Sequence, residues 1–254
     1  MATPQSQSET ITSGCVGPPL SSFTIMGLKG AWWKYGMGVL MTYVVYGAFF
    51  IAKGAANFGA NGDTSRIVFF HVPVAILSYV CYVVATFYAI QYLIGRRWHS
   101  DMKSSTAMEL GLLFCILTTV TGSIFSRAVW GAYWNWDPSQ TRIVMMLLLY
   151  ASYVVLRGAT IAHAERRGRL SAVYALVTVV PATYLIWVVP RILETLHPTT
   201  VLTRPRDNSP AYNLILLVSF IAFTLLFIWM FQLRCRQLIL AERRKRKLIG
   251  GTGY

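Results

Sequence analysis

Apolar residues in this chain come in long runs rather than in strict alternation or on a single helical stripe. Six runs cover approximately residues 33–53, 67–94, 107–126, 143–162, 170–190 and 212–233, separated by short polar or basic connections. Each is close to the roughly 20 residues that carry a helix across the hydrocarbon core of a bilayer. Strands are excluded, because an open strand in lipid leaves its backbone groups unpaired. The pattern predicts an all-α, polytopic membrane protein of six transmembrane helices.

Composition supports that solvent. Hydrophobic residues make up 55% of the 254 and charged residues 13%, and the mean hydropathy is +0.51, too apolar for a soluble domain of this size. The net charge of +14 would suit a nucleic-acid binder if it formed one patch, but the bases sit in clusters between the apolar runs. That arrangement orients a protein in a bilayer and points to no nucleic-acid partner. Arg96, Arg97 and Lys103 follow the second run, Arg166, Arg167 and Arg169 the fourth, and Arg243 to Lys247 the sixth. These segments are predicted to be cytoplasmic, with both termini, and the connection between runs three and four external.

The expected organisation is a disordered tail over 1–28, a six-helix membrane domain over 29–235 with an external loop over 127–142, and a basic cytoplasmic tail over 236–254. The tail has no positive start or apolar core, so it does not read as a cleaved signal. Among the four cysteines, Cys15, Cys81, Cys115 and Cys235, none forms Cys-x-x-Cys. Cys81 and Cys115 read as packing residues, with neither a thiol relay nor covalent cofactor attachment expected.

The external loop is the unusual part of the chain. Between Arg127 and Arg142 it holds Trp130, Gly131, Tyr133, Trp134, Trp136 and the turn-starting pair Asp137-Pro138. Indoles suit the boundary between apolar and wet surroundings, so an anchoring belt is one reading. Three of eight Trp in one connection favour the other, a flat aromatic platform for a ligand.

The four histidines sort onto the two sides. His99 and His163 fall among the cytoplasmic bases and read as solvated. His71, in Phe-Phe-His-Val-Pro, and His197, in Leu-His-Pro, fall on the side of the tryptophans. Pro73 allows two geometries, a helix beginning near it or a longer helix that contains it. Either histidine alone reads equally well as a satisfied interfacial side chain. Two on one side, each near a proline, suggest a shared ligand, since such groups are costly near membrane depth.

Imidazole alone does not select a metal. A bare zinc site wants four protein ligands, and this side offers no Cys and no third His. Haem meets the shortfall, because the porphyrin supplies four nitrogens and leaves only the axial positions to protein. Its propionates call for Arg, and Arg127 and Arg142 bracket the tryptophans. Arg66, Arg191, Arg204 and Arg206 share that face, and each of the six could equally pair with lipid phosphate.

The run Trp130-Gly131-Ala132-Tyr133-Trp134-Asn135-Trp136-Asp137 resembles the tryptophan-rich WWD motif of membrane proteins that handle haem in cytochrome c biogenesis. With six spans, His71 before Val-Pro and His197 after the fifth span, the chain is most similar to the haem exporter protein C family, CcmC, over residues 33–235. The resemblance implies a bacterial inner-membrane protein holding haem b at its periplasmic face. It implies His71 and His197 as axial ligands, and Trp130, Tyr133, Trp134, Trp136, Asp137, Arg127 and Arg142 around the haem. The implied partners are the haem chaperone CcmE, the ABC transporter subunits CcmA and CcmB, and the small membrane protein CcmD. The continuation Asp137-Pro138-Ser139-Gln140-Thr141 is closer to the larger relatives CcsA and CcmF, which implies the alternative of delivery to a cytochrome c synthase.

Two other classes make different demands. A multihaem electron carrier needs His pairs within the spans, and runs 107–126, 143–162 and 170–190 contain none. A transporter or channel needs polar residues along a path, whereas Lys53, Asp101, Glu109 and Arg157 lie near run ends. No nucleophile–base pair, paired carboxylates or phosphate loop is evident, so no enzymatic activity is expected.

Overall fold

The computed structural model describes residues 31–52, 56–160, 163–197 and 208–250. The expected tail over 1–28, together with Arg204 and Arg206, lies outside the described residues. Helix α1 (Trp32–Tyr46) runs into a π turn (Gly47–Ile51), and a 3-10 segment (Ala56–Ile67) leads into α2 (Val68–Gly95). Then come α3 (Trp98–Trp130) and α4 (Pro138–Ala159). Helix α5 (Ala164–Thr183) continues through a π turn (Tyr184–Val188) into the short α6 (Val189–Ile192), and α7 (Pro210–Gly250) closes the chain. Six helical stretches are long and apolar enough to cross a membrane, and no strand occurs among the described residues. The chain is a multi-pass membrane protein.

Most helices outrun the apolar stretches that predicted them, because their ends are built from polar and basic residues that hydropathy discards. Helix α3 spans 33 residues and α7 spans 41, the latter about 60 Å at 1.5 Å per residue. Helix α7 passes the expected 235/236 boundary without a break, so the basic run continues the same helix.

Helices α2 and α3 pair most extensively, α5 and α7 flank α2, and α1 lies on α7. The main core holds Tyr82, Met108, Phe114, Met146, Tyr150 and Phe231, and a second cluster joins Val44, Phe69, Tyr212 and Ile215. Two of the buried tyrosines reach across to carbonyls on other elements: Tyr150 Oη donates to the Ser78 carbonyl at 2.5 Å and Tyr212 Oη to the Ser65 carbonyl at 3.0 Å. Many large apolar side chains face outward, among them Phe50, Ile94, Val155 and Val177. That surface would be a liability in water and is ordinary against lipid.

Of the charges near the run ends, Lys53 lies outside the described residues and Asp101, Glu109 and Arg157 are paired. Arg157 holds Asp101 through two bonds of 2.7 and 3.0 Å, and Arg234 meets Glu109 at 2.8 Å.

Of the two geometries open at Pro73, the structure has the longer helix, with Pro73 inside α2. Proline supplies no N–H to the carbonyl four residues back, which here belongs to Phe69. The hydroxyl of Ser219 on α7, fully buried, donates to that carbonyl. The break in the α2 ladder is thereby repaired by a neighbour, and His71 sits within the first turns of a continuous helix.

Candidate functional site

The site is assembled from the end of α3 onward. Gly131, with φ +80°, ends α3 in a left-handed cap, its N–H bonding to the Arg127 carbonyl at 3.2 Å. The loop that follows is pinned from both flanking helices. On the α3 side, Ser126 Oγ donates to the Ala132 carbonyl at 2.7 Å and accepts from Asn135 Nδ2 at 2.9 Å. On the α4 side, Gln140 Oε1 accepts the Asn135 N–H at 2.7 Å and Gln140 Nε2 donates to the Tyr133 carbonyl at 3.3 Å. Trp136 takes φ +53°, a conformation bulky side chains rarely adopt.

Asp137 then caps α4 and ties in a distant segment. Its Oδ1 accepts the Ser139 N–H at 2.8 Å and the Thr195 hydroxyl at 2.7 Å, and its Oδ2 accepts the Leu196 N–H at 2.8 Å. Thr195 has one hydrogen to give and gives it to the carboxylate. The Ser139 hydroxyl, 2.6 Å from it, is therefore the donor of that pair. The second lone pair of Thr195 takes the His197 N–H at 3.1 Å. Burial by itself would raise the Asp137 pKa, but these donors outweigh it and hold the carboxyl below its ordinary value of 3.8. The charged carboxylate thus fixes the non-helical segment that carries His197.

His71 approaches from α2. Its Nδ1 lies 2.8 Å from Thr121 Oγ1 on α3, and its Cε1 packs over Gly122, where an added Cβ would stand 3.2 Å from that carbon. The His71 and His197 rings lie 6.1 Å apart between centroids, tilted by 35°.

Both rings line a cavity of about 290 Å³, whose wall includes Trp130, Trp134, Asp137, Arg142 and the edge-to-face pair Tyr79 and Trp187. Trp130 is steadied edge-on by Phe125, centroids 5.5 Å apart. Arg142 donates to the Ile186 carbonyl at 3.3 Å.

The nine residues singled out from sequence divide here. His71, His197, Trp130, Trp134, Asp137 and Arg142 are brought to one cavity. Tyr133, Trp136 and Arg127 stand outside its wall. Trp136, 75% exposed, meets Trp134 at a right angle 5.8 Å away. The Arg127 guanidinium donates to the Gly131 carbonyl and lies 5.8 Å over the Tyr133 ring. Arg66 pairs with Asp63 at 2.9 Å, and Arg191 lies over Trp187. Sequence reading missed Thr121, Thr195, Gln140 and Trp187. Only Gln140 carried any signal, two residues inside a helix start.

The chemistry of the donor set constrains the ligand. Among the described residues no group of three or more His, Cys, Asp or Glu could hold a bare ion. With metal–nitrogen bonds of about 2.0 Å and ring nitrogens about 1.1 Å from their centroids, two imidazoles on opposite sides of one metal have centroids about 6 Å apart. The observed centroid separation is 6.1 Å. A metal with its equatorial positions already filled by a flat macrocycle fits two imidazoles beside an indole wall.

Fold and site together define a class: a six-span membrane protein with an imidazole pair beside an aromatic wall. The sequence model of the family described as CcmC, "Heme exporter protein C", matches residues 18–249, and the chain belongs to that family. Proteins named "Heme exporter protein C" are similar to it over most of its length. That of Bradyrhizobium diazoefficiens is 33% identical over 185 residues, 72% of this chain and 70% of the relative. That of Rhodobacter capsulatus is 29% identical over 208 residues, covering 81% and 84%. The Escherichia coli K12 protein is 30% identical over 192 residues, covering 73% and 75%.

Proposed function

We propose that this chain binds haem b at the periplasmic face of a bacterial inner membrane and hands it on for cytochrome c maturation, without making or breaking covalent bonds itself. The observation that carries the reading is the convergence of His71 and His197, 126 positions apart in the chain, to ring centroids 6.1 Å apart beside Trp130 and Trp134. In this reading the two imidazoles hold the iron axially, the indoles bear on the macrocycle, and Arg142 pairs with a propionate. Arg127 and the exposed Tyr133 and Trp136 lie outside the cavity wall, where they suit a partner's approach better than the haem itself.

The orientation rests on the clusters Arg96–Arg97, Arg166–Arg169 and Arg243–Lys247, which belong inside with both termini. The two histidines differ in support. His71 rides on a long helix, whereas His197 rides on a segment without regular structure that Asp137 ties to the start of α4. His197 is therefore the axial ligand an acceptor displaces.

The acceptor in this reading is the periplasmic chaperone CcmE, with the ABC subunits CcmA and CcmB and the small protein CcmD as companions. The family match over residues 18–249 favours this over delivery to a cytochrome c synthase. The test loads the purified protein with haem in nanodiscs, adds the soluble CcmE domain, and follows the haem by absorbance after separation. Transfer of haem to CcmE from wild type, and none from a His71→Ala, His197→Ala double variant, is expected. Haem-loaded protein that retains its cargo in the presence of CcmE would overturn the hand-off.

A further inference from the structure

We infer that Thr121 locks His71 into the tautomer that leaves Nε2 free to bind metal. This rests on the proposed haem reading and assigns a positioning role to a residue on α3, an element that carries neither histidine. A threonine hydroxyl has one hydrogen to donate and two lone pairs to accept with. Thr121 Oγ1 lies 2.7 Å from the Leu117 carbonyl, 3.3 Å from the Thr118 carbonyl and 2.8 Å from His71 Nδ1. Both carbonyls can only accept, so the hydroxyl hydrogen goes to Leu117.

The remaining contact then closes in one way, with His71 Nδ1–H donating to Thr121 Oγ1. The opposite arrangement, hydroxyl to Nδ1, would leave one hydrogen bond where the first makes two. A neutral imidazole carries a single ring proton. With that proton on Nδ1, Nε2 presents a bare lone pair, as a metal ligand requires.

Gly122 adds a steric component. A Cβ there would stand 3.2 Å from His71 Cε1, so the next residue on α3 after Thr121 is one that lets the ring lie close against the helix. Helix α3 thus sets both the position of the ring and the placement of its proton. A hydrogen bond from the outer nitrogen of a metal-bound imidazole also raises the basicity of the coordinating nitrogen. In bound haem this favours the ferric over the ferrous iron.

The test compares wild type, Thr121→Val and Thr121→Ser. Val keeps the shape and removes the hydroxyl, and Ser restores it. In the haem-free protein, nitrogen-15 NMR of labelled histidine, assigned with His71→Ala, is expected to show His71 protonated at Nδ1 in wild type and Ser, and a tautomer mixture in Val. With haem, Val is expected to bind roughly 10–100-fold more weakly. Its midpoint potential is expected to rise by about 59 mV, a tenfold change in ferric preference, while Ser returns toward wild type. His71 protonated at Nε2 in the haem-free wild type would overturn the inference. So would a Val variant with wild-type affinity and potential. Failure of the wild type to bind haem at all would instead sink the haem reading, and the NMR result would still decide the tautomer.

Discussion

Asp137 is the position where a single change should cost the site most through the support it gives His197. Its carboxylate holds the His197 segment through two inter-segment bonds, from the Thr195 hydroxyl and the Leu196 N–H. Hydrogen bonds to a charged group are worth about 1.5–3 kcal/mol each. Asp137→Ala removes both, about 3 kcal/mol at the lower end, and at about 1.4 kcal/mol per tenfold the tether equilibrium shifts roughly 100-fold toward a released segment. Haem affinity falls by the fraction of molecules still competent, so the expected loss is up to about 100-fold. Asp137→Asn should lie between, because an amide has one accepting atom and turns an NH₂ toward one set of donors. The assay is haem titration into protein in nanodiscs, read from the Soret and visible bands, with His197→Ala as the benchmark. Both Asp137 variants should move toward the benchmark spectrum, Ala further than Asn. An Asp137→Ala protein with wild-type affinity and an unchanged low-spin spectrum would refute the tether.

Acidification should reach the same state from another direction. The Asp137 pKa is lower folded than unfolded, so its contribution is fully present above the ordinary value of 3.8 and lost as pH falls through the folded value. Spectra recorded downward through that range should show His197 ligation failing in wild type, and the Asp137→Asn variant should lack this step. Gly122→Ala places a Cβ 3.2 Å from His71 Cε1 and should weaken haem binding while leaving the melting temperature nearly unchanged, by parallel haem titration and thermal denaturation. Gly111→Ala would put a Cβ 2.2 Å from the hydroxyl of buried Tyr150, and overpacking costs about 1–3 kcal/mol. It should lower thermal stability at a place remote from the histidines. Ser219→Ala leaves the Phe69 carbonyl without its donor, a loss of about 1–3 kcal/mol, measurable as a lowered melting temperature.

Hydropathy located all six spans, because lipid imposes its demand residue by residue along each run. It placed their ends poorly, since α3 and α7 continue as helices through charged residues such as Asp101 and Arg234 that find partners on neighbouring helices. The two histidines could be set on one side from the span count alone, but their separation depends on packing that no local pattern records. Asp137 was legible as a turn residue ahead of Pro138. Its second function, binding Leu196 and Thr195, joins positions nearly sixty apart and leaves no mark near either. Thr121 was hidden for a similar reason: a threonine in an apolar run reads as one that bonds its own helix, which it also does. The Trp cluster was visible as a unit, yet the backbone divides it. The turn from Gly131 to Trp136 sets Trp130 and Trp134 on the cavity wall and leaves Trp136 exposed.

Binding of one iron between His71 and His197 is tested most directly by absorption spectra of the haem-loaded wild type, His71→Ala and His197→Ala, recorded with and without added imidazole. A six-coordinate low-spin wild type is predicted, with each variant losing that signature and regaining it when free imidazole fills the vacant position. A variant that stays low-spin without imidazole, or a wild type that stays colourless when haem is supplied, would contradict the claim.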